Sequence, residues 1–375
     1  MNRSYSAVDL RIRNFRVVFE LARLRGELLR PDISSHTGMT PPTVMKVVQS
    51  FLARNILKNA GEVDTLLGRK PTRLTFNPNA AYAIGVLFEG GEMHAGLVNL
   101  AGEIINNIKI PMDYTFSQDT LPTIIDLIRR LITDVNEPIL GIGLGVPGVV
   151  NSRNRIIEFA PLIGIVKPMD CSSICDIICN ETGLNVCMDN DVNAAAVGEF
   201  SFRKLHDNDD LLYISVGTGV GAGIILNGQL RRGARNLAGE LGYAVNNARY
   251  HVDRTLPGWL EGRVGQKSLK KHFDWLGYGN DDEVSQQLID YLVGNLAPAI
   301  ANLATQLDIK SIIIGGMAMD TLGEHLRKPL QDKIDKLSLE PVNVYPPACV
   351  DSGVTGAAIL AMDGKLDEWL CTRNE

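Results

Sequence analysis

The sequence predicts a two-lobed α/β body that carries a small basic head, a winged helix-turn-helix, at its N-terminus. Three observations point there. Residues 1–76 hold 13 Lys and Arg against 6 Asp and Glu, a net +7, whereas the remaining 299 hold 24 against 37, a net −13. Within the head, apolar residues recur at helical spacing around a glycine turn. Beyond residue 80, strand-like apolar runs alternate with helical ones, which is the pattern of an α/β fold.

In the head, Phe15, Val18, Phe19 and Ala22 mark the buried face of a first helix. Arg30 to Gly38 reads as a short helix stopped at the glycine. After the turn Gly38-Met39, Thr40 can cap a third helix with Pro41 in its first position, where a missing N–H costs nothing. That helix is expected to bury Val44, Val47, Val48, Phe51 and Leu52. Thr43, Lys46 and Ser50 then face solvent, with Pro42 and Thr40 at the leading end, as in a recognition helix lying in a major groove. Ile56–Leu67 and Thr72–Phe76 read as a two-stranded wing. At its tip Gly68-Arg69-Lys70-Pro71 offers Arg69 and Lys70 either to a narrow minor groove or to phosphate alone. The expected partner of the head is double-stranded DNA.

The body opens with strands at Tyr82–Val86, Gly96–Leu100 and Ile104–Ile110, and a helix at about 119–136. The strand Ile139–Gly145, a helix over 170–182, the strand Leu184–Met188 and a helix over 192–203 follow. A second unit runs from the strand Leu211–Ser215 to the strand Ser311–Gly315, before a last helix at 353–363. Cys171, Cys175 and Cys179 fall four apart on one helix face. Both a metal or redox cluster and a stripe of small buried residues fit that spacing, and the lack of a nearby His or CxxC favours the stripe. The longest apolar run, Leu211 to Leu226, is broken by Ser215, Thr218 and four glycines, so no membrane span is expected. Met1-Asn2-Arg3-Ser4-Tyr5 leads into a charged helix and not an apolar leader, so the expected location is cytoplasmic.

Several motifs carry chemistry. Gly143-Leu144-Gly145-Val146-Pro147-Gly148 follows a strand and would let backbone approach a ligand, with Gly145 as the candidate contact. Asp189-Asn190-Asp191-Val192-Asn193 places carboxylates and amides where a strand enters a helix; such groups bind hydroxyls, and they also cap helices. Ser215 to Gly223 would offer a row of backbone N–H groups to a phosphate. Ala238-Gly239-Glu240-Leu241-Gly242-Tyr243 precedes Trp259-Leu260-Glu261.

In this order the motifs resemble the ROK family of bacterial repressors, open reading frames and sugar kinases, over almost the whole chain. The resemblance implies an actin-like, ribonuclease-H-like body of sugar-kinase type. Its expected divisions are a head at 1–76, a smaller lobe at 80–200 plus 345–375, and a larger lobe at 201–344. It also implies that Asn190, Asp191, Glu240 and Glu261 hold a small sugar or sugar-phosphate effector. Members with such a head are, as a rule, sugar-responsive repressors, and dimers or tetramers are usual.

The departures from the family matter as much. Tyr243 stands where a histidine serves zinc and sugar, no cysteine lies between Tyr243 and Glu261, and His251 is a solitary candidate ligand, so no zinc is expected. Leu162 replaces an asparagine that many members present to the sugar. The kinases' first hairpin reads Asp-x-Gly-Gly-Thr; here Leu87 to Gly91 take its place, with Glu92 following. No aspartate is left there for magnesium and no hydroxyl for the triphosphate, so neither bound ATP nor a catalytic residue is expected. The reading is a sugar-responsive repressor. Its alternatives are an active sugar kinase with a regulatory head and a regulator controlled by a protein partner.

Overall fold

The computed structural model describes residues 6–62, 72–89, 91–112, 120–206, 209–253, 255–275 and 286–372. Arg69 and Lys70, with the rest of the Gly68–Pro71 tip, lie outside them.

In the head, α1 (Ala7–Arg25) starts from a capping box. The Ser6 hydroxyl accepts from the Asp9 N–H, and the Asp9 carboxylate accepts from the Ser6 N–H. β1 (Glu27–Leu29) leads to α2 (Arg30–Thr37), which ends at Gly38 with φ 68°, a left-handed cap that suits glycine. α3 (Pro41–Ala53) presses Val44, Val47, Val48 and Phe51 into the core against Phe15, Val18 and Phe19, while Leu52 is only half-buried. β2 (Leu57–Glu62) pairs with β3 (Thr72–Phe76), and β1 adds to the other edge of β3. The wing sheet therefore has three strands where two were expected. Glu27–Leu29 is too short to show alternation, and only pairing with β3 makes it a strand.

The smaller lobe begins with the meander β4 (Tyr82–Glu89), β5 (Glu92–Asn99) and β6 (Ile104–Pro111). α4 (Leu121–Ile132) then leads to β7 (Ile139–Val146), parallel to β4. β8 (Val149–Asn151), β9 (Ile156–Phe159) and β10 (Met169–Asp170) make a small separate sheet. α5 (Ser172–Thr182) and β11 (Val186–Asn190) complete the main sheet in the order β11-β7-β4-β5-β6. Cys171 and Cys175 are buried in this lobe's core, with Cys179 packed at its margin. Burial pushes both buried thiols up to about 11, so they stay protonated at neutral pH.

α6 (Asp191–Phe202) crosses to the larger lobe, whose sheet runs β14-β13-β12-β15-β16. Its strands are β12 (Leu211–Val216), β13 (Val220–Leu226), β14 (Gln229–Leu230), β15 (Ser311–Gly315) and β16 (Asn343–Tyr345). Between β14 and β15 lie α7 (Glu261–Val264), α8 (Gln266–Phe273) and α9 (Gln286–Leu307). α10 (Met317–Leu322) and α11 (Glu324–Asp335) precede β16. The chain then returns through α12 (Ser352–Cys371), which continues past residue 363, where the sequence suggested an end before Gly364. Beyond that glycine, Leu366 and Leu370 are buried in the core shared with the head, and this packing carries the helix on.

α12 lies on β4 and β7, α6 lies on β12 and β13, and the two helices pack on each other. Their crossing is almost backbone on backbone. A Cβ at Gly198 would overlap the Ser352 carbonyl, and one at Gly356 the Ala194 carbonyl. Glu199, fully buried on α6, accepts from the N–H groups of Ala348 and Cys349 at 2.8 Å and so fixes the segment before α12.

The head is docked on this helix pair. Arg16 meets Asp363 at 2.6 Å and Asp367 at 3.5 Å, and Arg11 donates to the Cys371 carbonyl at 3.0 Å. The Arg54 guanidinium lies 4.4 Å from the Trp369 ring centre, and Arg23 donates to the Ser201 hydroxyl of α6 at 3.0 Å. These four cations face the body. The head's basic excess is thus not all directed at a polyanion, as its charge count suggested.

Candidate functional site

A cavity of about 210 Å³ lies between the lobes. The smaller lobe supplies Gly148, the turn Pro161–Ile163 and the start of α6; the larger lobe supplies the β12–β13 turn, Glu240, Tyr243 and Glu261. Four residues read from the sequence, Asn190, Asp191, Glu240 and Glu261, meet around it. Gly145 does not. It is buried inside β7, where a Cβ would stand 2.7 Å from Leu87 Cδ1, so it makes room for that side chain and not for a ligand.

The Asn190 side chain caps α6: its Oδ1 accepts from the Asn193 N–H at 2.9 Å. Its Nδ2 donates to the Gly148 carbonyl and to Asp191 Oδ1, both at 2.9 Å. Both amide protons are therefore committed, and what remains for a hydroxyl is acceptor capacity on Oδ1. Asp191 Oδ1 also accepts from the Val192 N–H at 2.9 Å.

Glu240 and Glu261 face each other's charge in a half-buried wall. Burial, with the Glu261 carboxylate adding to it, raises Glu240 to about 7. Burial also raises Glu261, opposed by the Val220 N–H that donates to its Oε2 at 3.0 Å. Two poorly solvated carboxylates side by side are strong acceptors for hydroxyl groups. Leu162, 43% exposed, reaches across from the smaller lobe to within 3.0 Å of where a Gly219 Cβ would stand.

The first residue of the Asp-Asn-Asp motif was overlooked in the sequence. Asp189 is 4% exposed and accepts from Arg232 Nε at 2.7 Å and Nη2 at 2.6 Å. It also accepts from Asn193 Nδ2 at 3.0 Å and from the Asn190 N–H at 2.8 Å. Arg232 follows β14, so this pair ties the lobes together beside the cleft. The motif itself was the signal, because three polar residues at a strand end exceed what one helix cap needs.

On the other side of Asp191 lies a pocket of about 150 Å³. Leu87 forms its wall together with Asp320, Asp351 and Gly353, and the Leu87 methyls fill the space beside Gly145 and Gly353. Hydrogen bonding to His94, then to Lys109 at 3.0 Å, holds Asp351 down at about 2. Asp351 and Glu92 in turn raise His94 against the opposing effect of burial, Glu92 lying 2.9 Å from its Nε2. The β4–β5 hairpin is thus ion-paired to the start of α12. The row of free amides expected at the β12–β13 turn is also spent in part: the Gly217 N–H donates to the Gly219 carbonyl and the Val220 N–H to Glu261, each at 3.0 Å.

A zinc ion does not suit the residues present. Tyr243 packs its ring 6.2 Å from that of Phe159 and His251 is exposed, whereas a structural zinc takes four ligands, as a rule Cys and His. Among the described residues no group of three His, Cys, Asp or Glu could hold a metal. Nor is any described helix long and apolar enough to cross a membrane.

On the head, the exposed stripe of α3 is Pro42, Met45, Lys46 and Gln49. Thr43 and Ser50 are half-buried at its flanks and not on the outermost line, as expected from the sequence. With Val44, Val47, Val48 and Phe51 inward, a 100° step places Gln49 opposite them and the other two to the side. Gln49 was therefore legible and was missed. Thr40 is exposed at the N-cap, yet its hydroxyl meets the Thr43 hydroxyl at 2.9 Å instead of capping a backbone N–H.

Two five-stranded lobes around a cleft, joined by crossing helices, define a two-lobed actin-like body of sugar-kinase type behind a winged helix-turn-helix head. The chain belongs to the ROK family, whose sequence model matches residues 83–252 and 263–364. It is 27% identical over 345 residues to the xylose repressor of Caldicellulosiruptor bescii, covering 82% of this chain and 84% of that one. The xylose repressor of Bacillus spizizenii is 30% identical over 217 residues, and the match spans 57% of this chain but only 55% of that repressor's length. The glucokinase of Thermotoga maritima is 27% identical over 73% of this chain and 95% of its own. A crystal structure of a ROK family transcriptional regulator, a homologue of the E. coli MLC protein, superposes with a TM-score of 0.75 at 21% identity, over 96% of this chain and 97% of that one.

Proposed function

We propose that this protein is a sugar-responsive DNA-binding repressor whose kinase-like body senses its effector without phosphorylating it. The observation that carries the reading is the run of α6 and α12. α6 begins at the cleft, at Asp191, and α12 at the pocket behind that residue, at Ser352; both end against the head, at Ser201 and at Asp363 to Cys371. A sugar held by Asn190, Asp191, Glu240 and Glu261 touches both lobes, so it binds their open and closed arrangements unequally. Only such a difference can shift DNA affinity. The α6–α12 crossing, packed through Gly198 and Gly356, passes lobe movement to the head as a rigid tilt. In a homo-oligomer that tilt re-spaces two α3 helices on a two-fold operator.

Leu87 supports the loss of phosphoryl transfer, because a buried alkyl group stands where the family's kinases hold magnesium. The second reading, an active sugar kinase, is favoured by Asp191, which borders both the cleft and the rear pocket as a base would. One purified sample separates them. Fluorescence anisotropy on the chain's own upstream DNA, at fixed salt, is expected to show an affinity change with one sugar, and the relatives' names make xylose the first to try. The repressor reading falls if no sugar changes that affinity. The kinase reading replaces it if ATP is turned over with that sugar present.

A further inference from the structure

Phe159, Glu240 and Tyr243 border two cavities at once. On one side they close the cleft of about 210 Å³; on the other they open onto a second cavity of about 1150 Å³. Small-molecule sites run roughly 300–1,000 Å³. The cleft alone therefore suits a single small ring, and the second cavity has space for more.

The second cavity lies between the β8–β9 hairpin of the smaller lobe, the segment 234–246 and the outer face of α9. Its lining has the chemistry of a carbohydrate subsite. Phe159, Tyr243 and Trp259 bring aromatic rings to it, the Trp259 ring lying under the Arg263 guanidinium at 4.0 Å, and Asn246, Asn295 and Asn302 bring amides that donate and accept. Asn295 and Asn302, seven apart on α9, share a face of the helix. Asn295 spends its Nδ2 on the Tyr291 carbonyl at 2.8 Å and keeps Oδ1 as an acceptor. The Asn302 side chain is exposed on α9. The Trp259 indole N–H is buried without an acceptor among the described residues, an uncommon state for a donor. Arg235 is the one cation among the lining residues, too little for a polyanion and compatible with a neutral ligand.

We propose that this cavity binds a second sugar ring, so that the effector is a disaccharide or longer glycoside spanning Glu240. The proposal rests on the reading of the smaller cleft as a sugar site. The segment that the family resemblance assigned to a zinc loop becomes, in this chain, a wall of the extended site.

Calorimetry on the full chain tests it, pairing D-xylose with xylobiose and D-glucose with cellobiose and maltose. One disaccharide is expected to bind at least tenfold tighter than its own monosaccharide. Asn302→Trp, which fills the second cavity from an exposed position, should abolish that gain and leave the monosaccharide affinity unchanged. Asn302→Ala should reduce the gain in part, and Glu240→Gln should weaken both ligands. A monosaccharide that binds as tightly as every disaccharide overturns the proposal, as does a gain that survives Asn302→Trp. In either case the monosaccharide still binds and still responds to Glu240→Gln, so the sugar reading of the cleft stands. If no sugar binds the unaltered chain, that reading fails and takes the proposal with it.

Discussion

The two sides of Asp191 have diverged in opposite senses. In front, Glu240, Glu261 and Asn190 keep a polar wall whose half-buried carboxylates are poorly solvated unless a ligand uses them. Behind, Leu87 closes the wall with alkyl carbon, and the remaining carboxylates, Asp320 and Asp351, have no lysine or arginine among the pocket's lining residues. A triphosphate brings negative charge and needs cations or free amides. The rear pocket lines up acids instead, and Asp351 is tied to β5 through His94 and to β6 through Lys109. On the proposed reading, binding hydroxyls and binding phosphates are separable in one fold, and a few positions around a shared aspartate decide between them.

The sharpest way to break this contrast is Leu87→Asp, which restores the kinases' carboxylate. Leu87 is buried and contacts the space beside Gly145 and Gly353, so a charge there has poor solvation and three aspartates near it. The expected loss of stability is about 4 kcal/mol, read by chemical denaturation, with no gain of ATP turnover. A stable variant that hydrolyses ATP with sugar present would mean the rear pocket is one substitution from function. Next in size is Asp189→Ala in front. Removing one partner of a buried ion pair costs roughly 3–5 kcal/mol. Because Arg232 is a third exposed and can recover water, the lower end is expected. If Asp189→Ala changes neither stability nor sugar affinity, the bridge does not hold the lobes.

What the sequence disclosed follows the range of each interaction. Glycine turns, caps and apolar periodicity are local, so α2, α3 and the strands β4, β7 and β12 could be read from nearby residues. Of the four cleft residues, Asn190 and Asp191 stand where β11 enters α6, whereas Glu240 and Glu261 lie far from any strand end and were reached only through the family resemblance. What stayed hidden was long-range. The Asp189–Arg232 pair joins residues 43 apart, and Arg16–Asp363 joins residues 347 apart. No local pattern encodes either contact. β1 and the last turns of α12 are likewise made by what they pack against. Gly145 was misplaced for a related reason: a glycine beside a motif can serve a ligand or a neighbouring side chain, and only the position of Leu87 decides between them.

The front cleft can be sharpened by Glu240→Gln, which keeps shape and removes charge. Hydrogen bonds to charged groups contribute about 1.5–3 kcal/mol, so sugar affinity is expected to fall between tenfold and a hundredfold, while rear-pocket variants such as Asp320→Asn leave it unchanged. Calorimetry reads both. Equal losses front and back would dissolve the distinction between the two sides.

The smallest effect expected is also the most specific to Glu240. Its carboxyl titrates at about 7, above the ordinary 4.5, because burial and Glu261 disfavour its charge. Between those values the folded chain holds a proton that the unfolded chain has released, so this group's contribution to stability is full below pH 4.5 and fades as pH rises through 7. A sugar hydroxyl reverses the preference, because it donates to the ionised form. Sugar affinity should therefore rise with pH up to about 7, by at most tenfold per unit, and then level off. Glu240→Gln should flatten that slope, whereas variants of Asp351, held ionised behind, should leave it intact. A profile that is already flat in the unaltered chain would mean that Glu240 does not take a proton from solvent or give a hydrogen-bonding charge to the ligand, and that the front wall is as closed to this chemistry as the rear one.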